Sequence, residues 1–296
     1  MIFEPPLFHH SKLQELLSPE WEESVRLWVK RDDLIHPVIS GNKARKLSLE
    51  LSQWNIEQPS HVASMGGNRS NFLHALSFVC FSYSIPFTAF IRGHEPQDYG
   101  PTLTDMVSWN TNLQFINKAA FRNLREEPGA TGLVPEDAIW IPEGGSSVSA
   151  LEGVIQSVFE LDKEPDYIFV PVGTGCTALG IALGILEKQW KSKVIGVVVL
   201  KGAEDIESSL LSLVKESGRD WPGNLVLEHR FCDKGFGKLS RDVINDLSYF
   251  ESLWSVKFEP VYSAKMCNAF RAYCREGLMA NKQVILWHTG GLQGNR

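Results

Sequence analysis

Two open, doubly wound parallel sheets facing one cleft are the fold that this sequence predicts, and three observations predict it. Short runs of buried-type residues, such as Tyr167 to Val172, alternate with segments of helical periodicity along nearly the whole chain, the pattern of βα units in parallel sheets. These units are too many for one sheet, and a chain of 296 residues is long enough for two lobes. Most strands run into polar, often glycine-rich loops, and loops at the carboxyl ends of parallel strands line the ligand cleft of such folds.

Val25 to Lys30 alternates and reads as a strand, followed by a turn at Arg31-Asp32-Asp33. Beyond Pro37, Leu47, Leu51 and Trp54 recur at i, i+4 and i+7, so a helix opens at Lys43. His61 to Ser64 is a short strand. A glycine-led loop follows at 66–71, and Phe72, Leu76, Val79 and Cys80 share one side of the next helix. Strands at 87–91, 113–116 and 138–141 accompany helices at 102–109 and 149–159. Tyr167 to Val172 leads into Gly173-Thr174-Gly175-Cys176-Thr177 and a helix over 178–186. The series closes with strands at 194–200, 225–228 and 284–287 and helices at 206–214, around 243–250 and at 264–273. The polar Pro142 to Ser147 segment is a crossing point between lobes. Residues 1–45 with 147–296 are expected to form the larger lobe, and 46–146 the smaller one.

The hydrophobic content of 43% and charged content of 22% are ordinary for a globular protein. A formal charge of −6 without a long basic cluster argues against nucleic acid as a partner. Met1 to His10 has no basic start leading into an apolar core, and the apolar run Val194 to Leu200 is far too short to cross a bilayer. A cytoplasmic location without membrane partners is the expectation. The five cysteines fall in no CxxC pair or metal-ligand spacing, so reduced thiols and no metal are expected.

Chemistry is expected in the loops. Within Ser40-Gly41-Asn42-Lys43-Ala44-Arg45-Lys46, Lys43 lies at the positive end of a helix with Arg45 and Lys46 beside it, which disfavours its ammonium and makes it a candidate nucleophile. Gly173 to Thr177 joins a buried strand to a helix, so its backbone N–H groups form an anion cup suited to a phosphate. A dinucleotide fingerprint is the rival reading. The glycine spacing does not match it, and the next strand ends in Lys201, with Glu204 a little beyond, where a ribose-binding acid belongs. Ser70 and Asn71 either cap the helix that follows or hold a carboxylate, and the two roles are compatible. Tyr262, just before another helix, is either core or a platform for a ring. His288-Thr289-Gly290-Gly291 follows the last strand; Thr289 offers a neutral hydroxyl, and His288 reads as a satisfied structural histidine.

A lysine opening a helix, a phosphate cup about 130 residues later, a Ser-Asn loop between them and a terminal Thr-Gly-Gly turn suggest pyridoxal phosphate. The sequence resembles the fold-type II pyridoxal-phosphate enzymes, specifically the family of 1-aminocyclopropane-1-carboxylate deaminase and D-cysteine desulfhydrase. The resemblance is carried by Lys30-Arg31-Asp32-Asp33, Ser40 to Lys46, Gly66-Gly67 with Ser70-Asn71, Ile141 to Ser146, Gly173 to Thr177, Pro260-Val261-Tyr262 and His288 to Gly291.

That resemblance implies a tryptophan synthase β-like fold with the cofactor in the cleft and its binding chiefly to the larger lobe. It implies that Lys43 binds the cofactor's aldehyde and then acts as base at the substrate's α-carbon. Asn71 would bond the ring hydroxyl, and Ser70 would bind the substrate carboxylate or assist proton transfer. Gly173, Thr174, Gly175, Cys176 and Thr177 would hold the phosphate, Tyr262 would lie against the ring, and Thr289 would meet the ring nitrogen. A small amino-acid substrate and a homodimer are implied as well. Deaminases of this family carry Glu after the tyrosine and Leu before the paired glycines, where this chain has Ser263 and Thr289. The expected reaction is therefore D-cysteine desulfhydrase-like α,β-elimination. Ring-opening deamination and a non-catalytic cofactor-binding homologue stand as alternatives. Arg69 either pairs a substrate carboxylate or is a surface charge, and Cys176 stands where many relatives have Gly.

Overall fold

The computed structural model describes residues 10–295 apart from 18, 19, 21–23, 204, 236 and 238. Glu204 and nearly all of the Met1 to His10 segment lie outside the described residues. Two sheets carry the fold. The larger contains β1 (Leu13–Leu16), β2 (Val25–Lys30), β7 (Tyr167–Val172), β8 (Lys193–Val198), β9 (Leu225–Glu228) and β10 (Lys282–Trp287), in the order β1-β2-β10-β7-β8-β9. All its pairings are parallel except β1 with β2. The smaller contains β3 (His61–Gly66), β4 (Phe87–Arg92), β5 (Asn112–Ile116) and β6 (Ala138–Ile141), in the order β5-β4-β3-β6, and is wholly parallel.

The helices are α1 (Asn42–Trp54), α2 (Asn71–Tyr83), α3 (Pro101–Ser108), α4 (Lys118–Glu126), α5 (Val148–Val158), α6 (Cys176–Glu187), α7 (Ile206–Glu216), α8 (Arg241–Trp254) and α9 (Ser263–Arg275). Two elements go beyond the sequence reading. Strand β1 is four residues long and pairs antiparallel at the edge, too short for its alternation to register. Helix α4 is mostly polar, burying only Phe121 and Leu124, which leaves little apolar periodicity to read.

Central strands are buried on both faces. Val170, Val194, Val198 and Ile285 pack with Leu151, Ile155, Leu179 and Ile181 of α5 and α6 in one core. Val62, Ala89 and Ile91 of the smaller sheet pack with Leu47 and Leu51 of α1 and Leu73 and Leu76 of α2 in another. Each such valine, leucine or isoleucine contributes about 1.5–3 kcal/mol by leaving water. Helix α1 lays its apolar face on the second core and also packs along α5, so it ties the two sheets together.

A buried charge network anchors α1 from below. Arg45 donates to Glu160 Oε1 at 2.5 Å and to Asp32 Oδ1 at 3.1 Å, Lys30 pairs with Glu160, and Trp287 Nε1 donates to Asp32 Oδ2 at 2.8 Å. Burial pushes the Asp32 pKa up, but Arg45 and Lys30 outweigh it and hold the carboxyl below its usual range. Two cations face two anions, so the network carries no net charge. No helix among the described residues is long and apolar enough to cross a membrane, and no His, Cys, Asp or Glu cluster among them has the arrangement of a metal site.

Candidate active site

The loops after β2, β10, β7, β3 and β6 all leave the carboxyl ends of parallel strands, where open α/β sheets bind ligands. Helix α1 starts at Asn42, with Gly41 as its cap at φ +66°. The Gly41 N–H donates to Asp32 O at 2.8 Å, and a Cβ there would fall 1.9 Å from Thr289 O. Only glycine fits this crossing. The Asn42 N–H donates to Thr289 O at 3.3 Å, so the first turn of α1 rests on the turn that follows β10.

Lys43 projects from that turn. Its Nζ donates to Asn42 Oδ1 at 2.6 Å and lies 5.9 Å from the centre of the Tyr262 ring. Burial chiefly, with Lys46, lowers its pKa to about 7 against the opposing pull of Glu259. Arg45 does not take the part expected of it. Its guanidinium is turned into the Asp32–Glu160 network, which neutralises it, so burial and Lys46 act in its place.

The Gly173–Gly175 loop lies between β7 and α6, and the first N–H groups of α6 have no intrahelical acceptor. Gly175 caps α6 at φ +88°, a left-handed conformation open to glycine. Thr177 Oγ1 accepts from the Asn42 amide at 2.8 Å, and Thr174 Oγ1 accepts from Ser146 Oγ at 2.8 Å. Lys46 is buried; its Nζ donates to Gly144 O at 2.7 Å and lies 3.5 Å from Thr174 Oγ1. The cup is thus a loop, a helix end and an ammonium. Cys176 is fully buried, and burial pushes its thiol pKa up.

Ser70 caps α2, its Oγ accepting from the Leu73 N–H at 3.2 Å. Asn71 follows, and its Oδ1 accepts from Gln293 Nε2 at 2.6 Å. A Cβ on Gly291 would lie 2.6 Å from Asn71 Nδ2. Asn71 of the smaller sheet's loop therefore abuts the turn carrying Thr289. Arg69 is exposed. The Tyr262 ring lies against Gly173, where a Cβ would be 3.1 Å from Tyr262 Cε1. Burial chiefly, with Glu259 and Glu143, pushes the Tyr262 pKa upward. The structure thus brings Lys43, the 173–177 loop and Tyr262 together, with Asn71 and Thr289 adjoining through the turn at 289–291.

His288 is a structural residue. It is fully buried, stacked on Phe258 at 5.0 Å, and bonded through Nε2 to Lys257 O and through Nδ1 to the Gly290 N–H. Three further residues belong to the site. Asn42 links Lys43 to Thr177. Lys46 reaches the cup, and its i+3 spacing from Lys43 puts both on one helix face. Glu259 is buried and accepts the N–H groups of Val261 and Tyr262 at 2.8 and 2.6 Å. Burial raises its pKa to about 7 against the pull of those N–H groups and of Lys43. Its signal in the sequence is an acid three residues before Tyr262, in position to cap the turn.

A family model described as pyridoxal-phosphate dependent enzyme matches residues 6–290. A putative 1-aminocyclopropane-1-carboxylate deaminase of Thermotoga maritima is 28% identical over 289 residues, covering 90% of this chain and 89% of its own. A bifunctional, mitochondrial D-cysteine desulfhydrase/1-aminocyclopropane-1-carboxylate deaminase of Arabidopsis thaliana is 25% identical over 308 residues, covering 93% and 75%. The crystal structure of an ACC deaminase homologue matches with a TM-score of 0.82 over 97% of this chain and 91% of that chain, at 23% identity, a likeness of fold.

Proposed function

The chain belongs to the pyridoxal-phosphate dependent enzymes, and on that premise we propose that it is a lyase that eliminates the β-substituent of a small amino acid, with D-cysteine as substrate. The residues present fit the cofactor. A buried amine with a pKa near 7 suits its aldehyde, the cup with Lys46 suits its phosphate, and Tyr262 offers a flat face between them. The Ser263 hydroxyl, fully buried and without a hydrogen-bond partner among the described residues, is a polar atom awaiting one.

Bound pyridoxal phosphate supplies an electron-withdrawing ring that stabilises negative charge at the substrate's α-carbon. In this reading Lys43 Nζ takes the α-proton, its low pKa leaving a free amine near neutral pH. Gly173 to Thr177, with Lys46, hold the phosphate, Asn71 bonds the ring hydroxyl and Thr289 meets the ring nitrogen. Ser70 receives the substrate carboxylate. Residues 1–45 with 147–296 act as the cofactor-binding lobe and 46–146 as the smaller lobe, in a cytoplasmic homodimer.

One observation carries the choice of reaction. The positions matching the deaminases' Glu and Leu are neutral hydroxyls, Ser263 and Thr289, and the nearby carboxylate of Glu259 is already engaged by two backbone N–H groups. Neither matched position then offers a carboxylate to hold a proton on the ring nitrogen and deepen the electron sink. Expulsion of a good leaving group, such as the thiol sulfur of cysteine, is the reaction least dependent on a deep sink. D-Cysteine and water give pyruvate, ammonia and sulfide.

The test is a steady-state assay of cofactor-loaded protein with D-cysteine, in which pyruvate and sulfide are expected in equal amounts. Release of 2-oxobutanoate from 1-aminocyclopropane-1-carboxylate without sulfide from D-cysteine replaces this reading with ring opening. Turnover of no small D- or L-amino acid makes the chain a cofactor-binding homologue without this activity.

A further inference from the structure

Lys265 is a lysine with no contact with water. It is the third residue of α9, directly after the Tyr262 platform, and is fully buried. That position is doubly unfavourable, because a cation is stripped of water and set against the positive end of a helix. What offsets this is a cage of backbone carbonyls. Lys265 Nζ donates to Val199 O at 3.1 Å, Cys232 O at 2.8 Å and Gly235 O at 2.7 Å. An ammonium has three N–H donors, and each has its own acceptor.

The cage joins three parts of the larger lobe. Val199 follows β8, and its N–H donates to Val172 O, the carbonyl immediately before Gly173. Cys232 and Gly235 belong to a turn closed by the Gly235 N–H on Cys232 O, with Asp233 at φ +50° and Gly235 at φ +94° aiming its carbonyls inward. The Asp233 carboxylate points elsewhere, accepting the Ser240 N–H at 2.6 Å. Among the described residues, no carboxylate lies within ion-pair distance of Lys265.

We propose that Lys265 is a positioning residue whose ammonium acts as a built-in monovalent cation, clamping the Tyr262 end of α9 to the strand end that carries the 173–177 loop. Rings of backbone carbonyls also bind free K⁺ by replacing its hydration shell, so the site left by removing the ammonium is a site for K⁺ or NH₄⁺. The inference rests on Tyr262 and the 173–177 loop as cofactor contacts. Its readout is cofactor affinity, which stands whichever amino acid is the substrate.

Apoprotein is titrated with pyridoxal phosphate at constant ionic strength in tetramethylammonium, K⁺ or NH₄⁺ chloride. Wild type is expected to bind equally in all three. Lys265→Ala should bind at least about tenfold more weakly in tetramethylammonium, the cost of a lost charge-assisted cage, and recover most of that loss in K⁺ or NH₄⁺. Lys265→Met, which fills the space with an apolar chain, should be weakened to the same degree and show no cation rescue. Wild-type affinity in Lys265→Ala overturns the proposal, as does a loss equal in all three salts. If Lys265→Ala does not fold, the arms remaining are Lys265→Met and wild type. Wild-type affinity in Lys265→Met, cation rescue of that variant, or cation dependence of wild type overturns the proposal; weakened binding without either cation effect upholds it.

Discussion

Asn42 donates its side-chain amide to Thr177 Oγ1 at 2.8 Å, so the residue beside Lys43 is bonded directly to the helix that opens from the 173–177 loop. The other end of the same amide accepts from Lys43 Nζ at 2.6 Å. One short side chain therefore sets the spacing between the Lys43 amine and the 173–177 loop. Asn42→Ala removes both bonds and is expected to weaken pyridoxal phosphate binding by about 1–2 kcal/mol, a five- to thirtyfold rise in Kd. Asn42→Asp sets a carboxylate against the amine and should raise the Lys43 pKa above about 7. Titration of cofactor attachment against pH checks both; an Asn42→Asp midpoint at or below that of wild type contradicts the assignment.

On the proposed role of Lys43, its pKa of about 7, against 10.5 for an ordinary lysine, would make covalent attachment of the cofactor pH-dependent near neutrality. The free amine is the form that would take up the aldehyde, and it accumulates as pH rises through the pKa. Attachment to apoprotein, trapped with borohydride, should climb between about pH 6 and 8 and then level off. Continued climbing towards pH 10 is the outcome that disproves a depressed pKa. Glu259 favours the ammonium, so Glu259→Gln should move the midpoint down.

Much of this was legible in the sequence because the signals were local. Strands such as Tyr167–Val172 are apolar enough to mark themselves, and the Gly173–Thr177 loop announces a helix end. What stayed hidden depends on residues distant in sequence. Arg45 looks like a neighbour that depresses Lys43 until Glu160, more than a hundred residues away, is seen to claim it. Lys46 reads only as a charge beside Lys43 until Gly144 and Thr174 are brought to it. Lys265 gives no sign of burial, since its acceptors are main-chain carbonyls that any sequence supplies. Pairing across a fold is not written in the spacing of a motif.

The buried network under α1 should be costly to break. Glu160→Ala leaves Arg45 and Lys30 short of an anion in a water-free setting, and a loss of about 3–5 kcal/mol in stability is expected. Glu152→Ala removes one of the two carboxylates that pair with Arg219, the other being Glu187, from a pair about 30% exposed to water, and about 1 kcal/mol or less is expected there. Denaturant midpoints of the two variants, measured side by side, give the comparison. Equal losses in both would show that the network under α1 contributes no more than a surface pair.

Lys46 offers the sharpest separation of phosphate binding from the rest of the site. Its ammonium meets Gly144 O and Thr174 Oγ1 at the mouth of the cup, so on the proposed reading its charge acts directly on the phosphate and reaches the aldehyde end only through the Lys43 pKa. Lys46→Met keeps the length and apolar stem of the side chain while removing the charge. A charge-assisted bond of about 1.5–3 kcal/mol predicts a rise in the Kd of pyridoxal phosphate of about ten- to 150-fold. Pyridoxal, which shares the aldehyde and ring but lacks the phosphate, should bind the variant about as well as it binds wild type when both are measured well above the Lys43 pKa of about 7, where loss of the Lys46 charge no longer changes the amount of free amine. The Gly144 carbonyl also loses its donor in the variant, and if loosening of that loop were the cause, both compounds would weaken together. The ratio of the two Kd values therefore decides the matter: selective loss of the phosphorylated form places Lys46 in the cup, and a common loss reduces it to a support for the Gly144 loop.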